Sequence, residues 1–307
     1  MLLSIIISSF NCQTDLLNCL ASIYQFPPDG DFEIIVVDNA SSDQSVEFIR
    51  DQFPEVKLIV NPLNLGFAAA NNQGAKNASG DYLFFLNPDT IIDNSDAFTL
   101  IHRCIGVKAD DDEQEEIAIV GPKLIDRNGG FQWSCGSIPS VFNMIFDKPL
   151  ALIYRWFGSH HKGSDPKLGS DPNLALRLLS FFSYRYYQGQ KPIEVGFVSG
   201  AAMMIKKSVF DELNGFDEKF FLYFEDVDLC LRAQKAGYKV IYSPTVEITH
   251  LCGQSQRERL KQKEEWYYQS QGYFFEKHKR RWEQILVKFL SIPYRVLGIR
   301  SKINKYY

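Results

Sequence analysis

The sequence lacks any ordered spacing of cysteine. Its six cysteines (Cys12, Cys19, Cys104, Cys135, Cys230 and Cys252) form no CxxC pair, which argues against a zinc ribbon or a small disulfide framework and for a reduced, cytosolic setting. Long apolar runs are missing too. No stretch reaches the roughly 18 to 20 residues that a membrane span needs, so the chain is not expected to cross a bilayer. The opening "MLLSIIISSFN" has no basic residues ahead of its short apolar run, unlike a secretory leader, and reads as a first strand. After that strand stands "SSFNCQTD", with no glycine-rich GxGxxG or phosphate loop, which argues against a nicotinamide-dependent oxidoreductase and against a nucleotidyltransferase.

What is present is an ordinary globular composition, 45% hydrophobic and 23% charged over 307 residues, enough for one large α/β domain or two small ones. "LLSIIISSF", "FEIIVVDNA", "VKLIVN" and "DYLFFLN" are β-rich runs that each end in turn-prone polar residues, with helical "QTDLLNCLASIYQF" and "GFAAANNQGAKNA" among the segments between them. This alternation predicts a mostly parallel sheet with helices on both faces. "IAIVGPKLID" resumes the core. "SGAAMMIKKSVFDEL" reads as a strand running into a helix, "EDVDLCLRAQKAG" as a helix stopped by Gly237, and "KVIYSP" as another strand. The acidic "DDDEQEE" at 110–116 reads as a solvated loop. Residues 141–192, rich in aromatics and carrying "GSDP" twice, read as an insertion or acceptor-side loop. The net charge of −4 hides an asymmetry: 13 Lys/Arg against 5 Asp/Glu from Arg257 onward give the tail +8 and leave −12 on the rest.

One carboxylate stands out. In "YLFFLNPDTII" Asp89 follows a strongly apolar run, and an ionised group so placed needs a partner, a metal or solvent. In parallel sheets ligands bind beyond the carboxyl ends of the strands. Asn11, Asp38, Asn39, Asn61, Asn64, Asn87 and Asp89 all fall at those ends, so several polar groups are expected to converge on one crevice.

Five segments in order, "SIIISSFN", "IIVVDNASSD", "NLGFAAANNQGAKNASGDYLFFLNPDT", "SGAAMMIKKSVFDELNGFDEKFFLYFEDVDLCLRAQKAGYKV" and His250, resemble the family 2 inverting glycosyltransferases of GT-A fold. The match is closest to the rhamnosyltransferase-like branch that builds cell-surface polysaccharides. The resemblance covers most of residues 1–125 and 194–255. It implies a domain over 1–255, and the charge and composition of residues 256–307 read as a basic amphipathic helical tail.

Glycosyl transfer from a nucleotide sugar requires that a leaving diphosphate be neutralised, a sugar held and an acceptor hydroxyl deprotonated. A divalent cation with oxygen ligands meets the first need, and Mg²⁺ takes only one or two protein carboxylates. Asp89 suits that role, and the resemblance assigns it the last position of a DxD motif, here Asn87-Pro88-Asp89, with Asn87 free to hydrogen-bond the sugar or a metal-bound water. The family also implies that Asp38 accepts a hydrogen bond from a pyrimidine base and that His250 completes a Mg²⁺ or Mn²⁺ site. Asn64, Gly66 and Phe67 are expected to line the nucleotide pocket, glycine allowing close backbone approach at a helix start, with Ser9, Asn11, Asn39 and Asn71 as further donor-binding residues. Gly200 and Ala201 are expected in the acceptor-side wall, and Trp133 to stack on a sugar ring. In "YFEDVDL" the family places its general base at the second acid, Asp226, with Glu225 orienting the acceptor; Asp228 is expected to pair with Arg232 at i+4.

The donor implied is dTDP-L-rhamnose, with UDP-sugars (galactofuranose, N-acetylhexosamine or hexose) as the alternative, and the acceptor a lipid-linked glycan. The tail's mixture of basic, aromatic and aliphatic residues suits contact with anionic lipid at the inner face of the cell membrane. Nucleic acid is not expected as a partner, since no recognition motif accompanies the charges. A homodimer is left open, and a non-catalytic sugar-binding scaffold is the rival function.

Overall fold

The computed structural model describes residues 2–94, 97–105, 116–142, 191–251 and 260–296. The expected acidic loop except Glu116, nearly all of the 141–192 insertion, and residues 256–259 and 297–307 of the tail lie outside them. The first half is the alternation predicted: β1 (Leu2–Ser9), α1 (Gln13–Gln25), β2 (Asp31–Asp38), α2 (Ser45–Gln52), β3 (Lys57–Val60), α3 (Phe67–Lys76) and β4 (Tyr82–Leu86). There follow β5 (Thr90–Ile91), α4 (Ala97–Cys104), β6 (Glu116–Ile125), β7 (Phe131–Gln132), β8 (Cys135–Gly136), β9 (Ile193–Glu194), β10 (Phe197–Val198), β11 (Ala202–Lys206), α5 (Lys207–Glu212), α6 (Glu225–Lys235), β12 (Tyr238–His250), α7 (Leu260–His278) and α8 (Arg281–Val296).

The main sheet runs β3-β2-β1-β4-β11-β6-β12-β5. The first four strands are mutually parallel, and β12 is parallel to β6. Strand β11 is antiparallel to both neighbours, β4 and β6. Because side chains alternate across a strand, each strand feeds two cores. Ile6, Ile35, Val37, Leu83, Phe85, Met203 and Ile205 face one, against Ala68 and Ala70 of α3, Leu229 of α6 and Phe274 of α7. Ile5, Ile7, Ile34, Val36, Phe84, Leu86 and Met204 face the other, against Leu16 of α1, Ile49 of α2 and Phe98 of α4. Each such buried side chain contributes on the order of 1.5–3 kcal/mol, so both faces need their helices.

The basic tail does not stand apart from this body. Phe274 and Phe275 are buried in the same core as α3 and α6, and Lys277 and His278 are drawn onto acidic partners described below. Cys12, Cys19, Cys135 and Cys230 are buried free thiols; burial pushes those of Cys12, Cys19 and Cys135 up to about 12, so they stay protonated and unreactive. Among the described residues no helix is long and apolar enough to cross a membrane.

Candidate active site

Strand ends and the starts of α3 and α6 meet at an open cleft. It is lined by Phe67, Asn87, Leu124, Gln132, Trp133, Ser199, Gly200, Ala201, Leu222, Tyr223, Glu225, Asp226 and His250. Seven of the expected site residues are therefore gathered at one place, with Trp133 beside them.

Asp89 reaches the cleft's edge through a strand pair that local sequence does not announce. β5 runs antiparallel to the end of β12, with His250 opposite Thr90, and the Leu251 N–H donates to the Asp89 carbonyl at 2.8 Å. This puts His250 Nε2 3.2 Å from Asp89 Oδ1, both side chains about nine-tenths buried. Asn87 Nδ2 lies 3.4 Å from the same nitrogen. On the other side of the ring, Gln132 Oε1 stands 2.8 Å from His250 Nδ1, and Gln132 Nε2 donates to the His250 carbonyl at 2.6 Å. A carboxylate oxygen and an imidazole nitrogen this close converge as two ligands of one hard or borderline cation do. Among the described residues no cluster of three or more His, Cys, Asp or Glu could hold an ion, so Asp89 and His250 could supply at most two ligands, with phosphate and water for the rest. That is a donor set Mg²⁺ and Mn²⁺ accept.

The acids of α6 line the same cleft. Tyr223 and Phe224 have φ of 70° and 68°, a left-handed conformation unusual for aromatic residues that stores strain where a site requires it. The turn delivers Glu225 and Asp226 as the first residues of α6, near its positive dipole end. Asp226 Oδ2 accepts the Gly200 N–H at 2.9 Å, and Oδ1 accepts its neighbour Val227 N–H at 2.8 Å. Burial nevertheless raises its pKa above the ordinary value of 3.8. Glu225 is raised well above 4.5 by burial and then by the Asp226 charge, and its Oε2 is buried without a hydrogen-bond partner. Of the two acids Glu225 is pushed up further, because Asp226 has two N–H groups to stabilise its charge and also repels a charge on Glu225.

Asp228 behaves differently. It is fully buried and receives Arg232 Nε at 2.7 Å, His278 Nε2 at 2.6 Å and Lys277 Nζ at 2.7 Å. Despite the cost of burial these partners hold its pKa down at about 2. The i+4 pairing with Arg232 is as expected from sequence. The partners from α7 are not visible there, since nothing local links residues 50 positions apart.

The remaining expected donor residues form a hydrogen-bonded ridge at the ends of β1, β2 and β3 and do not line the cleft. Ser9 Oγ donates to Asp38 Oδ1 at 3.2 Å, and the Ser41 N–H donates to Oδ2 at 2.9 Å. Asp38 is fully buried, so its carboxylate holds the loop after β2 and is not the cap of α2, which starts at Ser45. Asn11, at φ 50°, accepts from the Ser42 N–H at 2.7 Å. Asn39 donates to the Gly66 carbonyl at 3.2 Å and accepts from Asn61 at 3.0 Å. Asn64 accepts the Gly66 N–H at 2.9 Å. Asn71 donates to the Phe67 carbonyl at 2.9 Å, while its buried Oδ1 has no hydrogen-bond partner. Gly66, at φ +86°, lies so close to Phe221 that a Cβ there would meet the Phe221 carbonyl oxygen at 2.5 Å. That carbonyl accepts the Phe67 N–H at 2.8 Å, tying the start of α3 to the segment that leads into Glu225.

Residues 4–104 match the family model "Glycosyl transferase family 2" and residues 164–269 match "Glycosyltransferase like family 2", more than half of the chain between them. The chain is 24% identical over 228 residues to an N-acetylglucosaminyl-diphospho-decaprenol L-rhamnosyltransferase of Mycobacterium tuberculosis, a match that covers 71% of this chain and 66% of that protein. The chain thus spans just under two thirds of that relative's length. Among solved structures it is similar to a mannosyltransferase of Pyrobaculum calidifontis in complex with GDP-Man and Mn²⁺ (TM-score 0.55, 15% identity, 94% of this chain and 69% of that one). It is also similar to GalNAc-T7 with UDP, GalNAc and Mn²⁺ (TM-score 0.53, 16% identity, 82% and 44%). The order of motifs, the GT-A fold and both family matches agree, and the chain belongs to the family 2 glycosyltransferases.

Proposed function

We propose that the protein is an inverting glycosyltransferase that moves L-rhamnose from dTDP-rhamnose to a lipid-linked saccharide in cell-surface polysaccharide synthesis, at the inner face of the membrane. The observation that carries the reaction is the placement of Asp226, pinned by the Gly200 N–H, in the cleft that also holds Asn87 and His250. Asp226 takes the proton of the acceptor hydroxyl as that oxygen bonds to the anomeric carbon. The bond to the diphosphate breaks on the opposite face, and its electron pair leaves with the nucleotide, which inverts the centre. Glu225, protonated, orients the acceptor by donating a hydrogen bond. Trp133 and Tyr223 offer apolar faces to sugar rings. Asp89 and His250 would hold Mg²⁺ or Mn²⁺, which supplies positive charge against the leaving diphosphate. Asn87 holds the sugar or a water beside them.

The L-rhamnosyl donor rests on the name of the M. tuberculosis relative and on the motif order, and a UDP-sugar fits the same chemistry. A thermal-shift panel with dTDP, UDP and GDP and their sugars, with Mg²⁺, Mn²⁺ or chelator, tests the reading because a ligand of the folded state alone raises stability. Metal-dependent stabilisation by dTDP-rhamnose, lost in Asp89→Ala, is the expected result. No shift with any nucleotide would leave a non-catalytic sugar-binding scaffold as the better reading.

A further inference from the structure

Helix α8 leaves a continuous apolar face in water. Trp282, Ile285, Leu286 and Phe289 are 51%, 47%, 39% and 65% exposed, and their i, i+3, i+4, i+7 spacing puts them on one side of the helix. Val287, on the other side, is buried and joins the core that includes Phe274 and Phe275 of α7. Arg281 and Lys288 are exposed and lie seven residues, or about two turns, apart, so they follow one edge of the stripe. Single exposed hydrophobic residues need no explanation, but a contiguous stripe of large ones marks a surface that something covers.

Charge separates the candidate occupants. A second copy of the chain, docked face to face about a two-fold axis, would put Arg281 and Lys288 of both copies in one interface. An anionic lipid surface reverses the sign of that interaction. We propose that α8 docks on an anionic phospholipid bilayer, with its Trp282–Phe289 face in the boundary between headgroups and acyl chains and Arg281 and Lys288 extended to the phosphates. The choice of a bilayer over a soluble partner rests on the lipid-linked acceptor read above, whereas the exposed face does not. α8 packs on α7, and Ser270 of α7 donates to the carbonyl of Leu222 in the cleft wall at 2.8 Å. A bilayer under α8 is therefore held at a fixed position relative to the acids of α6.

Flotation of the full chain with vesicles of phosphatidylglycerol and phosphatidylcholine, against phosphatidylcholine alone, tests the proposal. Anionic vesicles should bind at least about tenfold more protein, with the difference shrinking as salt rises. An Ile285→Glu/Phe289→Glu variant should lose about tenfold or more of that binding while its melting temperature and nucleotide binding stay unchanged. Arg281→Glu/Lys288→Glu should lose the preference for anionic lipid. Equal binding by the first variant, no binding of wild type to either vesicle, or a dimer seen by light scattering that this variant abolishes would each overturn the proposal. A protein that floats with anionic vesicles but binds no nucleotide would keep it and remove the glycosyltransferase reading.

Discussion

Gln132 grips His250 at two points, and the pair of contacts fixes where the ring's proton lies. The His250 carbonyl can only accept, so the amide nitrogen of Gln132 must face it, at 2.6 Å. The amide oxygen, which also can only accept, then faces Nδ1 at 2.8 Å. Nδ1 therefore carries hydrogen, and Nε2 is the atom turned toward Asp89. An imidazole ligand is held in its binding tautomer by this kind of partner.

Removing that grip should weaken the cation site without unfolding the domain. Gln132→Ala is expected to lower Mn²⁺ affinity by roughly 10- to 100-fold, read by electron paramagnetic resonance titration or calorimetry on the protein without substrate. Unchanged affinity would reduce Gln132 to a packing contact.

The two neighbouring acids of α6 should respond unequally to neutralisation. Asp226→Asn removes the proposed base and should cut kcat by about 10²- to 10⁴-fold with donor binding intact. Glu225→Gln replaces a group already protonated and should cost less than about tenfold. It should also raise the melting temperature at neutral pH. With its folded pKa raised above 4.5, Glu225 binds more proton folded than unfolded as pH climbs past that value, so stability falls with rising pH. Equal losses of kcat in the two variants would place the charge on the wrong residue.

The acid limb of the rate profile should lie above the ordinary carboxylate range. Asp226 must be ionised to accept a proton, and its pKa is raised from 3.8 by burial, so kcat should fall as pH drops through that raised value. A limb at or below pH 3.8 would assign the titration to another group.

Asp228 contributes stability of the opposite sense. Its folded pKa of about 2 lies below the ordinary 3.8, so the native state gains about 2 kcal/mol once pH exceeds the unfolded value. That gain is lost as pH falls from about 4 toward 2. Asp228→Asn should flatten this part of the acid denaturation curve, and at neutral pH should cost at least about 2 kcal/mol, the stabilisation its ionised form supplies. An unaltered curve would show that Arg232, Lys277 and His278 find other partners.

Gly66→Ala should destabilise the junction of α3 with the catalytic segment. The φ of +86° disfavours any side chain, and the new Cβ would stand 2.5 Å from a backbone oxygen that has little room to retreat. A loss of about 1–3 kcal/mol is expected, measured by urea denaturation, together with lower activity, because the Phe67 N–H bond to Phe221 must shift.

Much of this molecule could be read in advance because its strands carry their own signal. β1, β2 and β4 are apolar runs on both faces, and each ends in the polar residues that form the ridge and the cleft. Asp89 was legible as chemistry, since it ends an apolar run with a group that is costly there, whereas Asp226 and His250 were singled out through the family resemblance. Gln132 was not, because it sits on a two-residue strand and its role depends on a partner 118 positions away. The left-handed pair Tyr223–Phe224 was equally hidden, as aromatic residues rarely signal positive φ. The reading of residues 256–307 as a separate tail followed charge and composition. Neither reveals that Phe274 and Phe275 are buried in the main core or that Lys277 and His278 reach Asp228.

The position of β11 in the sheet bears on how the chain assembles. It lies between β4 and β6, yet it is made long after both, so until residues 202–206 arrive the two halves of the sheet have no common strand. The edge of β4 stays open through the synthesis of everything between. Closure from the middle is a long-range event, slow by loop entropy and exposed to mispairing. Fragments that stop before Ala202 should therefore aggregate, and this enzyme should become native only late in translation.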